Sequence, residues 1–170
     1  MICVEIDKIE KFICECFSLL NGIVNPDHLV HGVIFYEKID EYLGYLDELS
    51  DGNTYIIVGK ENLRRVLGHN VDYYYYTLLV DFVLHELFHS IQNIDMNRYQ
   101  NDEYYRDLVE EEAQFNAARF LNNYYEWLSC KLNKPIYPTA NDLYKQRLID
   151  TKNKEREHML EHPYIFDLKK

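Results

Sequence analysis

Apolar positions along the chain divide it into segments of clear period. Across residues 5–21, Ile6, Ile9, Phe12, Ile13, Cys16, Phe17 and Leu20 recur at i, i+3, i+4, which predicts an amphipathic helix. Asn21-Gly22 supplies a left-handed stop for it, and Asn25-Pro26-Asp27 reads as a turn. Residues 30–36 are β-branched and aromatic and predict a short strand. Residues 39–49 read as a helix, and Ser50-Asp51-Gly52-Asn53 as a turn. Thr54-Tyr55-Ile56-Ile57-Val58 is the strongest strand signal and ends at Gly59. Residues 61–67 then form a short helix closed by Gly68.

The most apolar stretch follows. Residues 72–94 predict a helix in which Thr77-Leu78-Leu79-Val80-Asp81-Phe82-Val83-Leu84 is almost unbroken, with Leu87, Phe88 and Ile91 continuing it. A helix that is apolar most of the way round is a buried one. Its partner starts near Asp102, a good N-cap, and runs to about residue 132. Pro135 and Pro138 break the chain, and a polar helix over residues 141–162 ends at Pro163. With no repeat and no linker, residues 1–170 read as one helix-rich α+β domain with a small sheet.

Charge and composition narrow the function classes. Net charge is −11 over 170 residues, and no Lys/Arg cluster is present, which argues against binding nucleic acid through its phosphates. No stretch approaches the ~20 apolar residues of a membrane span. The first residues lack the basic and apolar regions of a secretion signal. Cys3, Cys14, Cys16 and Cys130 show no C-x-x-C spacing and read as free thiols, making the cytoplasm the default location. Sixteen tyrosines include the run from Tyr73 to Tyr76. Most are amphipathic fillers.

The chemistry is concentrated in the buried helix, in His85-Glu86-Leu87-Phe88-His89. Positions i and i+4 share a helix face, so both imidazoles can reach one metal ion. Glu86 lies about 100° round, beside such an ion rather than on it, as a general base requires. Catalytic zinc takes a third protein ligand and keeps one position open. The next helix offers Glu110-Glu111-Glu112-Ala113-Gln114-Phe115-Asn116-Ala117. Glu110, Ala113, Gln114 and Ala117 share one face, and the two alanines would let the helices approach closely. Glu110 is therefore the first candidate and Glu112 the second. His158-Met159-Leu160-Glu161-His162 fits the inverted H-x-x-E-H pattern, but only eight residues follow it and its surroundings are those of an exposed helix. His28, His31 and His69 belong to no ligand pattern.

These residues resemble the gluzincin metallopeptidases, in which H-E-x-x-H is followed by a glutamate ligand on a later helix. More narrowly they are similar to the ImmA/IrrE family, whose motifs run roughly H-E-x-x-H and E-x-E-A-N-x-F-A. That longer pattern favours Glu110 and aligns Glu112, Ala113 and Ala117, with Gln114 where Asn is usual and Asn116 where Phe is usual. The literal E-x-x-x-N unit would instead start at Glu112 and end at Asn116. The resemblance spans about 40 residues and implies a zincin-like domain with the motif helix packed against the glutamate-bearing helix.

It further implies Zn²⁺ held by His85, His89 and Glu110, with Glu86 as the catalytic base in hydrolysis of a protein or peptide. A transcriptional regulator is the implied target. Mn²⁺ or Fe²⁺ would suit the same ligands. A second oxyanion donor is expected among Tyr104, Tyr105, His158 and His162, and the strand at Tyr55 to Val58 is expected to offer its edge to substrate. An inactive zincin-like interaction module and a peptidase-type toxin or effector are the competing readings.

Overall fold

In the computed structural model, which describes residues 5–27, 29–69 and 74–138, three strands and five helices follow one another. They are α1 (Ile6–Val24), β1 (Val30–Tyr36), β2 (Gly44–Glu48), β3 (Thr54–Gly59), α2 (Lys60–His69), α3 (Tyr74–Ile91), α4 (Met96–Asn101) and α5 (Glu103–Leu132). The helix-rich α+β expectation holds at that level. The 141–162 helix and the His158–His162 pattern lie outside the described residues, as does His28.

The sheet has the order β1-β3-β2. β3 pairs in parallel with β1 and antiparallel with β2, so both its edges are occupied. This corrects the expectation that the Tyr55–Val58 strand presents a free edge. The edge strands are β1 and β2, of which β1 packs on α1 and β2 on α3. The helix expected over 39–49 is also absent, because its second half is β2. Two physical causes decide this. Gly52, at φ +79°, and the Asp51 side chain close a tight hairpin in which Leu49 N–H donates to the Asn53 carbonyl at 2.9 Å. The buried Asn62 amide then donates to the Ile39 and Glu41 carbonyls at 3.3 and 2.5 Å, holding residues 37–43 as an irregular crossing above β3.

Glycine is required at the crossing. A methyl group at Gly44 would collide with the Ile57 carbonyl and the Phe82 ring, so its absence lets β2 lie directly against α3. Gly22 does not stop α1, which continues to Val24, and Gly68 lies inside α2 rather than closing it. Local stop signals are overridden here by the apolar face, since Leu20 and Val24 both enter the core.

α3 is the axis of the core. Leu79, Val80, Val83, Leu84 and Leu87 are fully or almost fully buried, between α1 on one side and α5 on the other. Ala113 and Ala117 of α5 are both completely buried and bring that helix close to α3. Asp102 caps α5, its carboxylate accepting from Tyr105 N–H at 3.0 Å, and Asp95 caps the short α4 in the same way. Cys14, Cys16 and Cys130 are free thiols. Among the described residues, no helix is long and apolar enough to cross a membrane.

Replacing Asn62 with Ala should lower folding stability by about 1–3 kcal/mol, because two carbonyls at the buried crossing lose their donor. Urea unfolding of the variant against the parent chain measures this, and an unchanged midpoint would mean that the crossing is not held by this amide.

Candidate metal centre

His85 and His89 stand one helical turn apart on α3, and Glu110 projects towards them from α5. The three ligand atoms form a small triangle. His85 Nε2 and His89 Nε2 are 2.9 Å apart, and Glu110 Oε2 lies 3.1 Å from the first and 3.2 Å from the second. Among the described residues, this is the group of His, Cys, Asp and Glu side chains close enough to hold a metal ion.

The other ring nitrogens decide what the triangle contains. His89 Nδ1 sits 2.6 Å from Gln92 Oε1. The amide orientation of Gln92 follows from chemistry: its Nε2 donates to the Val109 carbonyl at 2.9 Å and the Glu112 carboxylate at 3.1 Å, neither of which has a proton to give. Its oxygen must therefore face the histidine, and His89 Nδ1 must carry the proton. His85 Nδ1 is likewise 3.2 Å from Gln114 Oε1, while Gln114 Nε2 donates to Asp81 Oδ2 at 3.2 Å. With both Nδ1 atoms protonated, both neutral imidazoles turn an Nε2 lone pair towards each other and towards a carboxylate oxygen. Three acceptors then meet with no proton among them, an arrangement that requires a cation.

Either a proton or a metal ion would satisfy it. Burial opposes charge on His89, but the hydrogen bond and charge of Glu110 outweigh that and raise its pKa above the ordinary value. Burial likewise works against ionised Glu110. The hydrogen bonds of His85 and His89 prevail and hold its carboxyl well below the usual range. The triangle thus binds positive charge even when only protons are offered. A tetrahedral ion with ligands at about 2.0–2.2 Å needs donor atoms roughly 3.3–3.5 Å apart, so an outward shift of a few tenths of an ångström suffices. The donor set fits a divalent metal.

Around this centre the structure sorts the sequence candidates. Glu112 is not at the triangle but holds the Gln92 amide. Gln114, which stands where the similar motif has Asn, holds His85, and Asn116 is buried elsewhere on α5. Tyr105 accepts a hydrogen bond from Asp95 N–H, and Tyr104 is exposed. The tyrosine that reaches the centre is Tyr99 of α4, whose hydroxyl donates to Glu110 Oε1 at 2.5 Å. Burial and the Glu110 carboxylate both raise the Tyr99 phenol above its ordinary value, so it remains a donor. Arg106 steadies it by donating to the Tyr99 carbonyl at 2.9 Å. No periodic signal marked Tyr99, since α4 is only six residues long. Gln92 was readable only as a polar residue following a buried apolar helix.

Glu86 is 6% exposed although it lies in a cleft. Burial, partly countered by His85 and His89, pushes its carboxyl up to about 7. Two adjoining pockets, of about 330 and 490 Å³, share Glu41, Gly44, Glu86 and Glu110 in their walls, so the metal centre lies between them. β2 borders the cleft through Gly44, Tyr45 and Leu46, and no second strand pairs with it among the described residues. No family model, curated protein or solved structure matches the chain.

Replacing His85 or His89 with Ala should abolish stoichiometric metal binding. Gln92→Leu or Gln114→Leu should weaken it about 10–100-fold by freeing a ring from its tautomer. Protons compete for the same Nε2 atoms, so affinity should fall as pH drops through the raised His89 value, which lies above the ordinary 6.5. Zinc titrations against a chromophoric chelator from pH 5 to 8 measure both effects, and pH-independent affinity would contradict the assignment.

Proposed function

We propose that the chain is a zinc-dependent metallopeptidase with a zincin-like domain, hydrolysing peptide bonds in a specific protein. The ImmA/IrrE-like motifs make a transcriptional regulator the candidate target. One observation carries the proposal: two imidazole lone pairs and a carboxylate converge in a cleft that also holds a buried carboxyl suited to proton transfer.

A divalent ion held by His85, His89 and Glu110 supplies Lewis acidity towards water and towards a substrate carbonyl. Glu86 takes a proton from the attacking water and delivers it to the leaving nitrogen. Its carboxyl, raised to about 7 by burial, matches that task because a base working near neutral pH accepts protons most effectively when its own pKa is near the medium's. Tyr99 keeps one oxygen of Glu110 engaged, leaving the other for the metal. Tyr104 and Tyr105, the tyrosines expected as donors to a developing oxyanion, line neither pocket, whereas Tyr99, which was not among the expected donors, does. The edge of β2 left unpaired among the described residues supports binding of an extended peptide by strand addition, which supplies main-chain hydrogen bonds without demanding a particular sequence.

Glu86→Gln should retain the metal and lose hydrolysis by about 10²–10⁴-fold, since only the proton transfer is removed. Metal content and cleavage of casein or a peptide library, measured on the same preparations, make the test. Equal activity in the variant and the parent would overturn the catalytic assignment. Metal binding with no hydrolysis by either would favour an interaction module.

A further inference from the structure

The two halves of the cleft differ in charge. The larger pocket is lined by Arg106 together with the apolar Leu46, Ile94 and Met96. The smaller one, of about 330 Å³, has apolar walls from Leu43, Leu78 and Phe82, and no Lys or Arg among the described residues lines it. Beyond the carboxylates that the two pockets share, among them Glu41 at the rim, Asp81 on α3 adds one that only the smaller pocket has. Asp81 is the telling residue. One of its oxygens accepts from Gln114, and the other is buried with no hydrogen-bond partner.

We infer that this smaller pocket receives an ammonium or guanidinium group of the substrate, its aliphatic stem lying along Leu78 and Phe82 and its charge directed to Asp81 and Glu41. The inference rests on the peptidase reading for the meaning of substrate, but the pocket itself does not depend on it. A buried carboxylate oxygen without a donor is costly, and a cationic donor relieves that cost while a neutral side chain of equal length does not. Long basic side chains suit such walls, because their methylene stems pack on apolar surface while the head remains polar. Burial also raises the Asp81 carboxyl, against the opposing effects of Gln114 and His85, so an arriving cation would favour the ionised form.

The cation has two chemical sources, a lysine or arginine side chain and a free amino terminus, and the experiment separates them. The zinc-loaded chain is offered peptide libraries with free and with acetylated amino termini. Preference for Lys or Arg over norleucine by about tenfold or more is expected at one position. Preference that survives acetylation assigns the pocket to a side chain, whereas cleavage confined to free amino termini assigns it to the terminal ammonium. Asp81→Asn and Glu41→Gln should each reduce the basic-to-norleucine ratio, which is read within one variant and so cancels any general loss of activity. Glu41 sits at the exposed rim, so its variant keeps the test alive if Asp81→Asn misfolds.

Butylammonium, a lysine side-chain analogue, provides a readout without catalysis. It should perturb the Leu78 and Phe82 NMR signals of the parent chain more strongly than those of the variants. Cleavage with no basic preference, no dependence on a free amino terminus and unchanged ratios in both variants overturns the pocket and leaves the peptidase reading intact. Butylammonium binding without any cleavage supports the pocket and counts against the peptidase reading.

Discussion

Three proton acceptors facing one another across about 3 Å dominate this structure. Left without a cation, the two lone pairs and the carboxylate would repel one another inside a half-buried cleft. The glutamine amides prevent the simplest escape, because they hold the protons of both imidazoles on the far nitrogen. Gln92 is itself fixed by the Val109 carbonyl and Glu112, and Gln114 by Asp81. The polar network thus runs from α3 to α5 and back. It sets a charge requirement at the centre that hydrophobic packing alone would not create.

The rest of the fold delivers these groups. Apolar residues around most of α3 bury the helix, so His85 and His89 cannot swing into bulk water. Ala113 and Ala117 allow α5 to lie close enough for Glu110 to reach across. The capped α4 brings Tyr99 onto the remaining oxygen of Glu110. Gly44 lets β2 press against α3, so that a strand edge and the ligand triangle share one cleft. Each contribution is a matter of close approach. Larger side chains at these positions would separate the parts without altering any ligand.

The sequence displayed this unevenly, for physical reasons. α1 was visible because its apolar positions recur over several turns, α3 because it is apolar almost all round, and α5 from Asp102, which marks a start that its side chain makes with the Tyr105 amide. Glu110 followed from helical geometry, since it shares its face with the alanines. Residues 39–49 misled because Leu43, Leu46 and Leu49 fit a helical rhythm, whereas the hairpin and the Asn62 amide impose an extended path. The Asn62 amide is distant in sequence, and no local pattern encodes its reach back to Ile39 and Glu41. Tyr99 and Gln92 were illegible as site residues for the same reason: their importance arises only when α3, α4 and α5 meet. Asp81 looked like an interruption in an apolar run, and its position beside Gln114 gives it a role.

The chemistry of the cleft depends on a divalent ion at the triangle. Anomalous diffraction at the zinc edge, from crystals of the chain grown with equimolar zinc, tests that most directly. A single peak about 2.0–2.2 Å from His85 Nε2, His89 Nε2 and a Glu110 oxygen is the expected result. A peak elsewhere, or none at the triangle while the two Nε2 atoms remain in contact, would contradict it.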